Sequence, residues 1–124
     1  MNKLIKKKVS KGYLVLRKRK REKKLGERKL ERDWWTAVDQ RANYVCEKCG
    51  TNTNLEHHHV FGKRYKSIRF DVDNGVLLCI RHHVPWAHTQ VVAFQEWIIE
   101  RRGIAWWNRL VEKKNRGQGI GCIS

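Results

Sequence analysis

Two pairs of metal-binding side chains stand out in this sequence. Cys46 and Cys49 are separated by two residues, and Cys79 and His82 repeat that spacing further along the chain. Structural zinc takes four tetrahedral ligands, and a short chain usually supplies them from two knuckles of two ligands each. We therefore expect these four side chains to hold one Zn²⁺. The alternative is a redox-active pair at the first two cysteines, with the third simply buried in a strand.

A second set of side chains has the types found in catalytic metal sites: His57, His58, His59, Asn74, His83 and His88. A neutral imidazole binds divalent metals, and because it titrates near neutral pH it can also accept a proton from water. In a regular strand His57 and His59 would lie on one face and His58 on the other. The spacing alone therefore leaves open which members of the triplet act together.

Two short strands and a tight turn are predicted around these residues. Apolar residues recur at helical spacing over 30–44, so a helix should lead up to the first cysteine pair. Gly50 follows that pair and can take the positive φ that a metal-binding turn requires. We expect a short strand over 55–61 and a buried strand over 76–78. The dipeptide Asn74-Gly75 signals a turn before the second strand.

The apolar pattern becomes helical after Cys79. Pro85 should lie in the first turn of this helix, because deeper in it proline would remove a hydrogen bond. Gly103 is expected to end the helix, and a last helix should cover 104–114. The order helix, zinc turn, strand, strand, helix, helix predicts an α+β domain. Four tryptophans are expected to pack between the closing helices: Trp86, Trp97, Trp106 and Trp107.

Positive charge is concentrated at the start of the chain. Residues 1–33 hold 15 Lys and Arg and 4 acids, a balance of +11, so the other residues carry only +5 of the total +16. Such an arm would neutralise phosphates and give salt-sensitive, sequence-blind affinity for nucleic acid. The alternatives are a solubilising tail and an anchor to anionic membranes, but the arm lacks the apolar face of an interfacial helix.

The composition also bounds the domain organisation and the compartment. We predict a basic arm over 1–32, disordered or helical, a folded domain over 33–116 and a flexible tail over 117–124. A core this small is marginal without a staple. The sequence has neither the roughly 20 apolar residues of a membrane helix nor the apolar stretch of a signal peptide. We therefore expect a cytoplasmic protein without a membrane partner, whose cysteines bind metal. Cys122, in the tail, is expected to be a spare thiol.

The histidine set resembles the HNH endonuclease family, which has a ββα-metal fold. The matching segments are LEHHHV over 55–60, DNGVLLC over 73–79 and the His82-His83 pair, in the order and at the distances of the family. Val60 anchors the match and selects the second and third histidines of the triplet. The run HVPWAH over 83–88 is similar to that of small HNH proteins from bacteriophages. The resemblance therefore implies a ββα-metal core with a Cys3His zinc site and flanking helices.

A role for each matching residue follows from the resemblance. It implies that His58 ligates a catalytic divalent ion (Mg²⁺, Mn²⁺, Ni²⁺ or Zn²⁺) and that His59 is the general base. Asn74 would either complete the metal shell or brace the loop that presents His59. His83 matches the second metal ligand. His88 matches a further histidine, as a metal ligand or a phosphate contact.

The resemblance also implies the substrate. Double-stranded DNA would be nicked or cleaved to leave 5′-phosphate and 3′-hydroxyl ends. Lys63, Arg64 and Arg69 lie where the family approaches the nucleic-acid backbone, so they are expected to contact phosphate; the alternative is ordinary solvated charge. The phage-type run prompts the hypothesis that the protein serves a phage packaging or recombination complex in the cytoplasm of a bacterial host.

Two alternatives to this interpretation stay open. The first concerns the metal ligands. His82 stands where the family usually has cysteine, so His83 could take the place of His82 at the zinc and His82 that of His83 at the catalytic ion. The competing functional class is a non-catalytic zinc module that binds nucleic acid through its arm. Such a module accounts for the zinc ligands and the charge, but it gives no reason for the histidine set.

Overall fold

Three α-helices and two β-strands are the main elements of the part of the chain that the structure describes. The computed structural model describes residues 10–117, and the chain divides into two compact units, Met1–Arg32 and Asp33–Ser124. A 3₁₀ helix, Val72–Asn74, and a π-helix, His83–His88, supplement the main elements. The α+β class is confirmed. The main elements are α1 (Lys11–Arg41), β1 (Leu55–His59), β2 (Gly75–Cys79), α2 (Val91–Arg102) and α3 (Ile104–Gly117).

Helix α1 begins at Lys11, well before the predicted start near Leu30. The Ser10 hydroxyl caps it by accepting a hydrogen bond of 3.1 Å from the Tyr13 N–H. Lys, Arg, Glu and Leu dominate the arm, and all four have high helix propensity. Of the two predicted conformations of the arm, the helical one is therefore adopted from Lys11 onward.

The predictions about a membrane helix and about the C-terminal tail concern different parts of the chain. No helix within 10–117 is long and apolar enough to cross a bilayer. The tail predicted over 117–124 lies outside the described residues except for Gly117, which ends α3, and Cys122 also lies outside them.

The two strands form an antiparallel pair, which confirms both predicted strands. His59 lies opposite Gly75, so the histidine triplet meets the first half of β2. β2 is buried along its whole length and has a core cluster on each face. One cluster contains Phe94 of α2, and the other joins Leu77 to Trp34 of α1. The four tryptophans predicted to pack between the closing helices join the first cluster: Trp86, Trp97, Trp106 and Trp107.

A turn precedes the second strand, as predicted, but it lies earlier than Asn74-Gly75, since the Asn74 N–H donates to the Asp71 carbonyl at 2.9 Å. Asn74 ends the 3₁₀ helix, and Gly75 begins β2 with an extended φ of −120°. Glycine is needed here for space, since a Cβ would lie 2.4 Å from the Val38 Cγ2 atom and 2.8 Å from the Trp34 Cζ2 atom. Close packing of the strand against α1 therefore overrides the local turn propensity.

We expect Gly75→Ala to lower the free energy of unfolding by about 1–3 kcal/mol, the usual cost of forcing a methyl group into a packed interior. The measurement is urea unfolding with one equivalent of zinc. Gly62→Ala is the control, because a Cβ at Gly62 meets no atom within 4 Å. Equal stability of the two variants would contradict the close approach to Val38 and Trp34.

Candidate metal centres

The four predicted zinc ligands converge on one point. The Cys49 and Cys79 sulfur atoms lie 3.8 Å apart. The His82 Nδ1 atom lies 3.3 Å from the Cys79 sulfur and 3.9 Å from the Cys46 sulfur. Tetrahedral zinc with bonds of about 2.0–2.3 Å places its ligand atoms about 3.3–3.8 Å apart. These side chains therefore form a Cys3His group that can hold a zinc ion.

The turn that presents the first two thiols confirms the prediction for Gly50. Gly50 has a φ of 79°, and its N–H donates to the Cys46 carbonyl at 2.8 Å. Burial opposes ionisation of the Cys46 thiol, but hydrogen bonds from backbone N–H groups, including that of Cys49, outweigh burial and lower its pKa. A lower pKa favours the thiolate, which is the form that binds zinc.

Glu47 anchors this turn, a function that no motif in the sequence indicates. Its buried carboxylate accepts hydrogen bonds from the Leu77 N–H at 2.9 Å and from the Arg102 guanidinium at 3.0 Å. Burial alone would raise the pKa of this carboxyl, but the Arg102 charge and the Leu77 N–H outweigh burial and lower it. The ionised carboxylate thus ties the zinc turn to β2 and to the end of α2.

Three histidines converge at a second point. The Nε2 atoms of His83 and His88 lie 3.0 Å apart, and one nitrogen of His58 completes a set within 4.8 Å. The His58 ring lies edge-on to the other two, at centroid distances of 5.1 and 4.9 Å. Two imidazoles bound to one ion at about 2.1 Å have nitrogens about 2.9–3.4 Å apart. The separation of the His83 and His88 nitrogens matches this range, and the three-histidine cluster of His58, His83 and His88 can hold a metal ion.

A π-helix brings two of these ligands together. In an α-helix residues five apart differ by about 140° around the axis, so His83 and His88 would face different directions. In the π-helix a hydrogen bond joins residues five apart, as between the Ala87 N–H and the His82 carbonyl at 3.1 Å. Residues with this spacing then lie one above the other. Pro85 lies in the first turn, as predicted.

His58 is the buried member of the three-histidine cluster. It lies on the opposite face of β1 from His57 and His59, and its ring packs edge-on against Phe94 at 4.8 Å. Burial, with smaller effects from the neighbouring imidazoles, lowers the pKa of His58 to about 3. The ring is therefore neutral at physiological pH, and its lone pair is available to a cation without loss of a proton.

The depressed pKa of His58 predicts an acid-sensitive stability. Between pH 6.5 and about 3 the unfolded chain protonates His58 and the folded chain does not, so stability falls as the pH falls. We expect the parent, relative to a His58→Gln variant, to lose about 1.4 kcal/mol per pH unit well below pH 6.5. Urea unfolding at pH 7.5 and 5.5, with one equivalent of zinc, measures this difference. Parallel pH profiles for the two proteins would contradict the burial argument.

Glu56 orients one ligand of the cluster, a function that the sequence analysis missed. Its Oε1 atom accepts a hydrogen bond of 3.0 Å from the Nδ1 atom of His83. This bond places the His83 proton on Nδ1 and its lone pair on Nε2, which is the atom that faces His88. The available signal was spacing, because Glu56 precedes His58 by two residues and so shares its face of the strand.

His59 is held by a neighbouring backbone group and an aromatic ring. Its Nε2 atom lies 2.9 Å from the Arg69 carbonyl oxygen, which can only accept a hydrogen bond. The neutral ring therefore carries its proton on Nε2 and its lone pair on Nδ1. The ring stacks on Trp34 at 4.1 Å with an interplanar angle of 10°. Trp34 thus positions His59 from α1.

Asn74 braces the loop that follows His59. Its side chain is fully buried, and its Oδ1 atom accepts a 2.7 Å hydrogen bond from the Phe61 N–H. Its amide nitrogen donates to the carbonyls of Phe61 and Ile68 at 2.9 and 3.1 Å. Of the two functions that the resemblance left open, this geometry favours the bracing one.

One open cavity of about 330 Å³ is lined by the triplet and by two candidate metal ligands, His83 and His88. A regular strand separates His57 and His59 from His58 by face, yet all three line this cavity. The cavity thus brings a candidate base next to the candidate metal ligands. Its walls are formed by His57, His58, His59, Gly62, Lys63, His83 and His88.

The three predicted phosphate contacts occupy different places. Lys63 is exposed and lines the cavity beside the histidines. Arg64 stacks on the Tyr65 ring at 4.7 Å and donates to its hydroxyl. Arg69 stacks on the Phe70 ring at 4.8 Å, and its carbonyl holds His59. Among the three, Lys63 alone contributes to the wall of the described cavity.

Comparison with known proteins adds no family assignment. No protein-family model matches this chain, and no solved structure gives a significant match. The resemblance to HNH endonucleases therefore rests on the sequence motifs alone.

Proposed function

We propose that the unit beginning at Asp33 is a metal-dependent DNA endonuclease or nicking enzyme of the HNH type, with a ββα-metal core. One observation carries the proposal: His58, His83 and His88 converge within metal-binding distance, and His59 lines the same cavity. A zinc module that only binds nucleic acid would not need this second cluster of metal-binding side chains. The Cys3His group supports the same proposal, because a zinc ion bound there would stabilise the small core.

Each residue of the cavity would have a separate function in hydrolysis. His58, His83 and His88 would hold the divalent ion, and Glu56 fixes the orientation of the His83 ring. The bound ion would polarise the phosphoryl oxygens and stabilise charge on the leaving 3′ oxygen. His59 would accept the proton of the attacking water at Nδ1, since its Nε2 proton is committed to the Arg69 carbonyl. Lys63 lines the same cavity and would contact a phosphate of the bound strand.

Double-stranded DNA is the proposed substrate, and the cationic arm would supply affinity that does not depend on sequence. The products would carry 5′-phosphate and 3′-hydroxyl ends. The proposed setting is the cytoplasm, within a phage packaging or recombination complex if the protein is phage-encoded.

A plasmid cleavage assay tests the proposal. Zinc-loaded protein is incubated with supercoiled DNA and Mg²⁺, Mn²⁺ or Ni²⁺, and nicked and linear products are resolved on a gel. We expect ion-dependent conversion that stops in chelator and is lost in His83→Ala. Retention of DNA without cleavage, in every ion tried, would favour the non-catalytic zinc module.

A further inference from the structure

A row of cations occupies one side of the arm helix. Arg17, Arg21, Lys24 and Arg28 recur at spacings of four, three and four residues, so they fall within an arc of about 60° on α1. We call these four residues the basic stripe. All four are exposed, and the last three line a shallow depression with Leu25. At 1.5 Å per residue the basic stripe is about 16 Å long.

The acids of the arm lie off the basic stripe. Glu22 is about 100° from Arg21 around the helix, whereas Glu27 and Glu31 lie beside the stripe, about 60° from the cations three residues before them, Lys24 and Arg28. Lys18, which is off the stripe, pairs with Glu22 at 4.0 Å. Among residues 10–117 no salt bridge involves a stripe cation. The stripe cations are therefore not held in ion pairs within the described part of the arm, and their exposed positive charges favour an external anion as partner.

We propose that the basic stripe is a docking surface for the phosphate backbone of duplex DNA, an inference that rests on the proposed function and names where the substrate is held. Its length corresponds to about five phosphates of one strand at 3.4 Å each. A helix presents charges at fixed spacing, which suits the regular phosphate row of a duplex better than a flexible single strand. Three of the four cations are arginines, whose planar guanidinium groups bind phosphate in bidentate fashion.

Two charge-matched variants test the position of the surface. The stripe variant combines Arg21→Gln, Lys24→Gln and Arg28→Gln. The control variant combines three substitutions that lie at least about 80° from every stripe cation around the same helix: Arg19→Gln, Lys23→Gln and Lys29→Gln. Each removes three positive charges, and glutamine keeps a high helix propensity. Far-UV circular dichroism checks that both full-length variants stay helical.

The readout is duplex affinity as a function of salt concentration, measured by fluorescence anisotropy without added divalent ion so that no cleavage intervenes. Each lost phosphate contact lowers the slope of log K against log salt by about 0.9. We expect the stripe variant to lose between two and three units of slope and more than tenfold in affinity. The control variant should lose less than one unit.

Three results would overturn the proposal. Equal losses in the two variants would mean that the arm acts as a diffuse polycation. Tighter binding to a single strand of the same length would contradict duplex DNA as the partner of the basic stripe. Stripe-dependent binding to anionic phospholipid vesicles, without stripe-dependent binding to DNA, would identify a membrane surface instead. Because the assay does not require cleavage, its result is independent of whether the protein is a nuclease.

Discussion

His59→Ala is expected to reduce DNA cleavage by about 10²–10⁴-fold, the usual contribution of a general base, while DNA affinity changes little. The expectation follows from the His59 tautomer, since the Arg69 carbonyl fixes the proton on Nε2 and leaves the lone pair on Nδ1. The measurement is the single-turnover rate of plasmid nicking at saturating protein and metal ion. Duplex affinity is measured in parallel without added divalent ion.

The chain offers a matched control for this substitution. His57 lies on the same face of β1, lines the same cavity and stacks on Trp35 at 5.6 Å, much as His59 stacks on Trp34. Its Nε2 atom is paired with the Asp39 carboxylate at 2.7 Å. We expect His57→Ala to cleave within about tenfold of the parent, a loss of roughly 1.4 kcal/mol or less in barrier terms. A larger loss in His57→Ala than in His59→Ala would assign the base to the other histidine.

Cys79→Ser is expected to abolish zinc binding and the cooperative folding of the unit beginning at Asp33. A structural zinc site contributes on the order of 10 kcal/mol. The net stability of a small domain is itself only about 5–15 kcal/mol. Cys79 lies in β2 and is buried, so the zinc joins the central strand to the turn that holds Cys46. Zinc content per chain and urea unfolding are the measurements.

Two controls keep this second prediction testable. Cys122→Ser removes a cysteine that is not in the ligand set, so it should keep one zinc and the parent stability. Chelation of the parent should reproduce the unfolding of Cys79→Ser, and added zinc should restore the parent alone. A Cys79→Ser protein that unfolds cooperatively at the parent's urea midpoint, with or without zinc, would contradict a structural function for the metal.

Ligand spacing in the sequence was sufficient to predict the Cys3His group. Each pair of ligands is separated by two residues, so its geometry is local and is set by one turn. The tertiary step needed only that the two turns meet, and the pairing of β1 with β2 achieves this. Spacing did not predict that His58 and His83 lie together; a resemblance to a known family supplied that pairing, and in the structure the two rings lie 5.1 Å apart.

The π-helix was beyond sequence reasoning. Helical periodicity assumes about 100° per residue, which separates His83 from His88, whereas the structure places them together by an i→i+5 hydrogen bond. The only hints were the five-residue spacing of the two histidines and the proline between them. Glu56 was missed for a different reason. Spacing places Glu56 on the same face of β1 as His58, but it does not reveal the hydrogen bond to His83, a residue of another element.

Gly75 shows a third limit of prediction from the sequence. Asn74-Gly75 has the local signature of a hairpin turn, and that signature ignores the surroundings. In the fold the same glycine supplies the space that Trp34 and Val38 require. The buried Asn74 side chain then bonds to the loop backbone instead of turning the chain. Packing against α1 therefore decided a conformation that local propensity had assigned differently.

Anomalous X-ray diffraction from crystals of zinc-loaded protein soaked in Mn²⁺ or Ni²⁺ would show directly whether the two metal centres exist. We expect one peak among the cysteines and a second, separate peak within about 2.0–2.3 Å of nitrogen atoms of His58, His83 and His88. A peak at the cysteine site alone, with the three-histidine cluster empty at saturating ion, would contradict the proposed second metal centre.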